Sequence, residues 1–258
     1  MAKTVSIIGL ESFPLVKAGD NLADLIVSAA RNENVTLNDN DIVVVTHKIV
    51  SKAEGRIVQL SDVKPSSRAR RLSKTTRRDP RLVELVLDES RRVVKASPEI
   101  LIVENRQGFV CINAGVDKSN VQGKNAYALL PLDSDRSARE IRSKIKKFTR
   151  KNVGVVICDT YSRPFRRGQV VFAVGVAGVD VFRDYRGKKD LFGYVLKVKN
   201  SAIADEIGSA AELVMGQGAE AVPVAIVRGF TETMIDKGHS ASDLLIGSQE
   251  DLFRGTLS

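Results

Sequence analysis

VGVVICDTYSRPFRRGQ, residues 153–169, decides the fold. Its first half is an unbroken apolar run, Val153 to Cys158, without polar alternation. That is the pattern of a strand buried on both faces. The run ends at Asp159 and Thr160, and a polar loop carrying Arg163, Arg166 and Arg167 is expected from Tyr161 onward.

Working outward, TVSIIG (4–9), DIVVVT (41–46) and VPVAIV (222–227) read as further short strands rich in β-branched residues. VVFAVGVAGVDVF (170–182) supplies one or two more, with a bulge or bend at Gly175 and Gly178. DNLADLIVSAARNE (20–33) reads as a helix with Asp20 as N-cap and Leu22, Leu25, Ile26 and Ala29 on one face. Asp79-Pro80 opens another helix to about Ser90, because proline suits the first helical position. VVKA, ILIVE and GFVCINAG (93–96, 100–104, 108–115) read as antiparallel strands turning at Gly108. SDRSAREIRSKIKKFTRK (134–151) is a basic amphipathic helix capped by Ser134, with Ile141, Ile145 and Phe148 as its apolar stripe. Residues 200–215 form a helix closed by Gly216, and 240–253 a short, weaker one. Strands and helices mix without strict βαβ alternation, so the class is α+β (mixed α/β). With no linker-like stretch, residues 1–258 are expected to form a single domain of two intimately packed lobes.

At 43% hydrophobic and 28% charged, the chain is neither a disordered tail nor a collagen-like repeat. Cys111 and Cys158 are the only cysteines and lie in apolar runs, so reduced, buried thiols are expected rather than a disulfide framework. No apolar run reaches the ~20 residues that span a bilayer, and the N-terminus lacks the pattern of a signal peptide. A cytoplasmic enzyme is the expectation. The net charge of +9 is concentrated: residues 64–95 and 136–151 each carry +7, leaving −5 for the rest. Such stretches serve as solvated helix faces, an anion funnel or a nucleic-acid face. Aromatic residues at 5%, with no Trp, disfavour a base-stacking platform and hence nucleic acid as partner.

Neither G-x-x-x-x-G-K-[ST] nor a strand–GxGxxG–helix unit occurs. With His47 and His239 the only histidines, a two-His metal site is disfavoured, and a metal here would be a hard cation held by oxygen. Asp117, in NAGVDKSN (113–120), follows one apolar strand, and Asp159, backed by Thr160, ends another. Strand-end Asp with a neighbouring hydroxyl suits Mg²⁺ or Mn²⁺; either Asp alone is more often a turn former than a ligand, and it is the two together that make the metal reading as good. Arg166 and Arg167 beside Asp159 fit neutralisation of a transferring phosphoryl group. Lys48 and Lys52 read equally as phosphate ligands or surface lysines, and His47 as a structural His. The residues thus point to metal-assisted phosphate chemistry, with the substrate open.

The blocks THKIVSKAEGR (46–56), CINAGVDKSNV (111–121), GVVICDTYSRPFRRGQ (154–169), AVGVAGVDVFRDYRGKKDLFG (173–193), ADEIGSAAELVMGQG (204–218) and VPVAIVRG (222–229) follow one another in order. Together they resemble the coenzyme F-420-0:L-glutamate ligase family, in its stand-alone archaeal form, from about Gly9 to Arg254. The resemblance implies a GTP-dependent γ-glutamyl ligase. Such an enzyme joins L-glutamate to the carboxylate of F-420-0 through an acyl phosphate, adds further γ-linked glutamates, and releases GDP and phosphate. It implies two divalent ions, Mn²⁺ or Mg²⁺, together with K⁺, and a homodimer. By motif, Glu11, Ser12, Phe13 and Pro14 match the first nucleotide loop, Thr46, His47 and Lys52 the second block, and Asn120 a further GTP contact. Met215, Gly216, Gln217, Gly218, Ala219, Glu220, Ala221 and Val222 match the late nucleotide loop. Asp117 and Asp159 match ligands of the first metal and Thr160 of the second. Gln217 stands where some relatives have an acid, and as an amide it would bind metal more weakly. On this reading the basic segments form a rim that gathers anionic substrates. The competing readings are the same chemistry on another acceptor acid, and a nucleic-acid binder using the two basic stretches.

Overall fold

The computed structural model describes residues 3–230, 238–247 and 249–251. It runs β1 (Ser6–Gly9), α1 (Leu22–Asn32), β2 (Ile42–Thr46), α2 (His47–Ala53), β3 (Ile57–Gln59), α3 (Ser67–Thr76), α4 (Pro80–Asp88), β4 (Ser90–Ser97), β5 (Ile100–Asn105), β6 (Val110–Ile112), β7 (Ala126–Ala128), α5 (Ser134–Thr149), β8 (Gly154–Ser162), β9 (Gln169–Ala177), β10 (Phe182–Asp184), β11 (Asn200–Ala202), α6 (Ile203–Met215) and β12 (Val224–Arg228). The mixture of helices and mixed sheets is the α+β class expected from sequence.

Five strands form the main sheet in the order β1-β12-β2-β8-β9, with β2 and β8 parallel and the other pairs antiparallel. The apolar run of β8 is buried on both sides because helices cover both faces. Val155 and Ile157 enter the core beneath α1 and α5, whereas Val156 and Cys158 enter the core beneath α6. Residues 57–130 build a second lobe around a third core, in which α3 and α4 pack against the β4-β5-β6 sheet. β5 shows why this sheet has one dry face: Leu101 and Val103 point into the core, while Ile100 is exposed.

Four local readings shift. The side chain of Asp20 accepts from Lys17 N, and Asn21 occupies the N-cap of α1. Asp133 rather than Ser134 caps α5, accepting from Arg136 N at 2.8 Å. β8 does not stop at Thr160 but continues to Ser162 because Asp159 to Ser162 pair with Gln169 to Phe172, leaving a hairpin loop of residues 163–168. The C-terminal helix is a single 3-10 turn, Ala241–Leu244, where Asp243 completes a capping box with Ser240. Ser248, Leu252, Phe253 and Arg254, within the readings of that end, lie outside the described residues.

The expected bulge in β9 falls at Val174, between the pairs Ile157↔Gly175 and Cys158↔Ala173. Gly175 is required there, since a Cβ would lie 2.4 Å from the carbonyl oxygen of Ser134. Cys111 and Cys158 are free, buried thiols. Among the described residues no helix is long and apolar enough to cross a membrane.

Candidate active site

The parallel pairing of β2 with β8 sets Thr46 opposite Cys158, so the residue after each, His47 and Asp159, emerges at the same sheet edge. His47 starts α2, is 1% exposed, and its Nε2 lies 3.2 Å from Asp159 Oδ1. Asp159 Oδ1 also accepts from Thr160 N at 2.7 Å. The second lobe delivers the other carboxylate. Asp117 is held by paired backbone bonds to Ala128, of 2.8 and 3.0 Å, and meets Lys48 Nζ at 2.6 Å. Burial opposes its ionisation, but Lys48 and the Ser119 hydroxyl and N–H outweigh that and hold its carboxyl below the usual range. Lys52, one turn after Lys48, has its ammonium lowered by burial and then by the Lys48 charge.

These groups line one cavity of about 960 Å³ between the lobes. Phe13, Pro14, Thr46, His47, Lys52, Asn120 and the whole stretch from Met215 to Val222 line it, with Asp117, Asp159 and Thr160. Asn120 Nδ2 donates to Gly218 O at 3.1 Å, and Gly218 N donates to Glu220 Oε2 at 2.7 Å, so two distant blocks form one wall. Glu11 and Ser12 fall outside the wall; Ser12 N donates to Glu33 Oε1 at 2.6 Å. Arg166 and Arg167 are also outside it, exposed in the hairpin loop, because the extended β8 carries them past the cavity; Arg163 is the arginine that lines it. No residue of the two basic stretches lines the cavity, so they do not form its rim.

Among the described residues no three His, Cys, Asp or Glu side chains gather as a metal cluster. The cavity nevertheless offers an all-oxygen set, Asp117, Asp159, Thr160 and Gln217. That set fits Mg²⁺ or Mn²⁺, which take few protein carboxylates and complete their shell with water and phosphate oxygens.

Sequence reasoning missed Asn113, Ser119 and Tyr161. Asn113, Ala114 and Gly115 are consecutively left-handed, with φ of 56°, 57° and 75°. For Ala114 this costs about 1–2 kcal/mol, while Asn and Gly were the visible signal. Tyr161 shows no signal beyond its place two residues after Asp159, which puts both side chains on one face of β8.

A family model described as F420-0:Gamma-glutamyl ligase matches residues 11–229. Proteins named Coenzyme F420:L-glutamate ligase are similar along the whole chain. That of Methanothermobacter thermautotrophicus is 43% identical over 97% of this chain and 99% of its own length. Those of Methanocaldococcus jannaschii and Archaeoglobus fulgidus are each 41% identical over 98% of both chains. With the match spanning both lobes and every block that lines the cavity, the chain belongs to the F420-0:gamma-glutamyl ligase family.

Proposed function

We propose that this chain joins L-glutamate to the terminal carboxylate of coenzyme F420-0 at the expense of GTP, and then extends the product with γ-linked glutamates. The observation that supports this most is the meeting of Asp117 and Asp159, from different lobes, in one cavity walled by residues 215–222. A carboxylate is a poor electrophile. In the first step an acceptor carboxylate oxygen attacks the γ-phosphorus of GTP and the bond to GDP breaks, leaving an acyl phosphate. In the second, the glutamate nitrogen attacks the acyl carbon, phosphate leaves with its bonding pair, and the nitrogen gives up a proton.

Asp117, Asp159, Thr160 and, more weakly, Gln217 would hold Mn²⁺ or Mg²⁺, whose chemistry is to neutralise charge on phosphoryl oxygens. K⁺ belongs to the same proposal. Phe13, Pro14, Lys52, Asn120 and the 215–222 loop bind and orient the nucleotide. Lys48 holds Asp117 ionised, and His47 fixes the direction of Asp159. The lobes enclose the reacting groups and limit hydrolysis of the intermediate.

A homodimer is part of the proposal. The β10–β11 arm exposes Leu191, Phe192 and Val198, each at least 88% accessible, and an apolar patch of this kind suits a second copy. The enzymatic reading is tested by mass spectrometry with F420-0, L-glutamate, GTP and Mn²⁺. Glutamylated product formed in step with GDP supports it, and product formed without GTP consumption overturns it.

A further inference from the structure

The face of the β5–β6 pair that turns away from the second-lobe core is apolar. Leu101 and Val103 fill that core, and the alternation of a strand turns Ile100 and Ile102 the other way. On β6, Val110 and Ile112 share the side of Ile102, because Ile112 pairs directly with Ile102 and Val110 with Glu104. Ile100, Val110 and Ile112 are 40, 49 and 39% exposed, and Ile102 is half-buried. A solvated sheet face ordinarily carries polar residues at such positions. This one presents an apolar band from Ile100, across the Ile102–Ile112 pair, to Val110.

The band is continuous with the reaction cavity. Ile102, Val110 and Ile112 line it together with Asp117 and Asp159. Ile100 to Val110 covers four residue positions along the strands, roughly 14 Å at about 3.4 Å per residue. Glu104, beside Val110, accepts from Arg92 Nε at 2.6 Å, so a charge pair closes that end of the band. The side chains between carry no hydrogen-bonding group, and β-branched residues on a pleated surface pack into a flat face.

We propose that Ile102, Val110 and Ile112 seat the ring system of the acceptor, the flat three-ring deazaflavin of F420-0; this rests on the ligase reading above. Among the groups the reaction brings together, that ring alone has a broad uncharged face to set against the band. The phosphates of GTP, the glutamate, and the phosphodiester and carboxylate of the acceptor are all charged. Guanine is flat, but its edge requires hydrogen-bond partners. Asn120 and the 215–222 loop carry such groups on another wall, and the band carries none. In F420-0 the ring and the reacting carboxylate stand at opposite ends, so the ring can rest on the band while the carboxylate meets Asp117 and Asp159 elsewhere in the same cavity. The band thus selects an acceptor by its ring and takes no part in the bond changes.

The test uses the full chain and, as probe, a 5-deazaflavin bearing only its ribityl chain, without phosphate or carboxylate, followed by fluorescence anisotropy. The ring compound should bind the unsubstituted protein saturably, and saturating GTP analogue should leave its affinity within about twofold. Val110→Ser/Ile112→Ser should weaken it about tenfold, as the loss of two apolar contacts implies. Val110→Leu/Ile112→Leu, which keeps the face apolar, should stay within about threefold of wild type. In turnover the serine pair should raise the KM for F420-0 about tenfold and leave those for GTP and L-glutamate within about twofold. No saturable binding of the ring compound, its displacement by the GTP analogue, equal affinity in the serine pair, or equal loss in the leucine pair overturns the proposal. So does a change of molecular mass by light scattering in the serine pair, which would assign the band to a second copy. The expected ring binding and variant effects without glutamylated F420-0 would instead overturn the ligase reading and leave the ring site standing.

Discussion

His47 Nε2 lies 3.2 Å from Asp159 Oδ1, joining the first residue of α2 to the carboxylate on β8. The pairing of β2 with β8 brings these residues together, so the contact is built by sheet register rather than by a flexible loop. His47→Gln removes the imidazole from a fully enclosed position. Steady-state kinetics should show kcat reduced tenfold or more, with the KM for GTP changed less. Unchanged kcat would remove His47 from the positioning of Asp159.

Asp117 is the carboxylate that the second lobe contributes, and Lys48 keeps it ionised. Asp117→Asn should lower metal-dependent turnover by at least a hundredfold and leave Tm within a few degrees, because the backbone bonds to Ala128 persist. Near-wild-type turnover at saturating Mn²⁺ would contradict a metal role for this residue.

Burial raises the Cys111 thiol from 9.0 to about 12, with Asp159 adding to the effect, and Cys158 is pushed up further, by burial and then by Asp205. Only the thiolate reacts readily. Alkylation by iodoacetamide at pH 8 should therefore be slow in the native protein and rapid in urea. The unfolded chain releases these protons near 9, whereas the folded chain retains them to higher pH. The associated stability is complete below the unfolded value and is lost as pH rises past it. Urea midpoints compared at pH 7.5 and 10 should fall, and fall less in Cys111→Ala.

Arg228 forms a fork on Asp41, Nε to Oδ1 at 2.9 Å and a terminal nitrogen to Oδ2 at 2.7 Å, and also donates to Thr36 O. Asp41 is 1% exposed. Asp41→Asn leaves the guanidinium without its charge partner and should cost about 3 kcal/mol, measured by denaturant unfolding.

The arm that carries Leu191 and Phe192 gives a fifth expectation. If it seats a second copy, light scattering should report a dimer for the native chain and a monomer for the Leu191→Lys/Phe192→Lys double variant. Identical masses would remove the arm from any interface.

β8 was legible because burial on both faces leaves an apolar run that needs no partner to be recognised. Asp159 was legible for the same reason, as the first charge after that run. The continuation to Ser162 was not, since Asp159, Thr160, Tyr161 and Ser162 carry no apolar periodicity and their strand state depends on pairing with β9. Tyr161 was hidden with them. The caps at Asn21 and Asp133 were each missed by one position: Asp133 accepts the N–H of Arg136, and the Asn21 side chain makes no cap bond that sequence could have pointed to. The basic stretch 136–151 was legible as a helix, whereas α3 in the other stretch was not read, and charge alone does not say which side of a sheet a helix covers. α5 lies on the α1 face, away from the loop after α6, and none of its lysines or arginines reaches the cavity. Asn113 needed the backbone itself, because Ala114 between two tolerant residues shows nothing of its left-handed conformation.

Activation of a carboxylate by phosphoryl transfer is the centre of this account, and oxygen transfer tests it most directly. F420-0 labelled with ¹⁸O in its carboxylate is incubated with the enzyme, GTP, L-glutamate and Mn²⁺, and the released phosphate is analysed by mass spectrometry. One labelled oxygen in the phosphate released with the first amide bond is the predicted result, since later additions activate the unlabelled carboxylate of the attached glutamate. Amide formation with unlabelled phosphate would contradict an acyl phosphate and, with it, the proposed roles of Asp117 and Asp159.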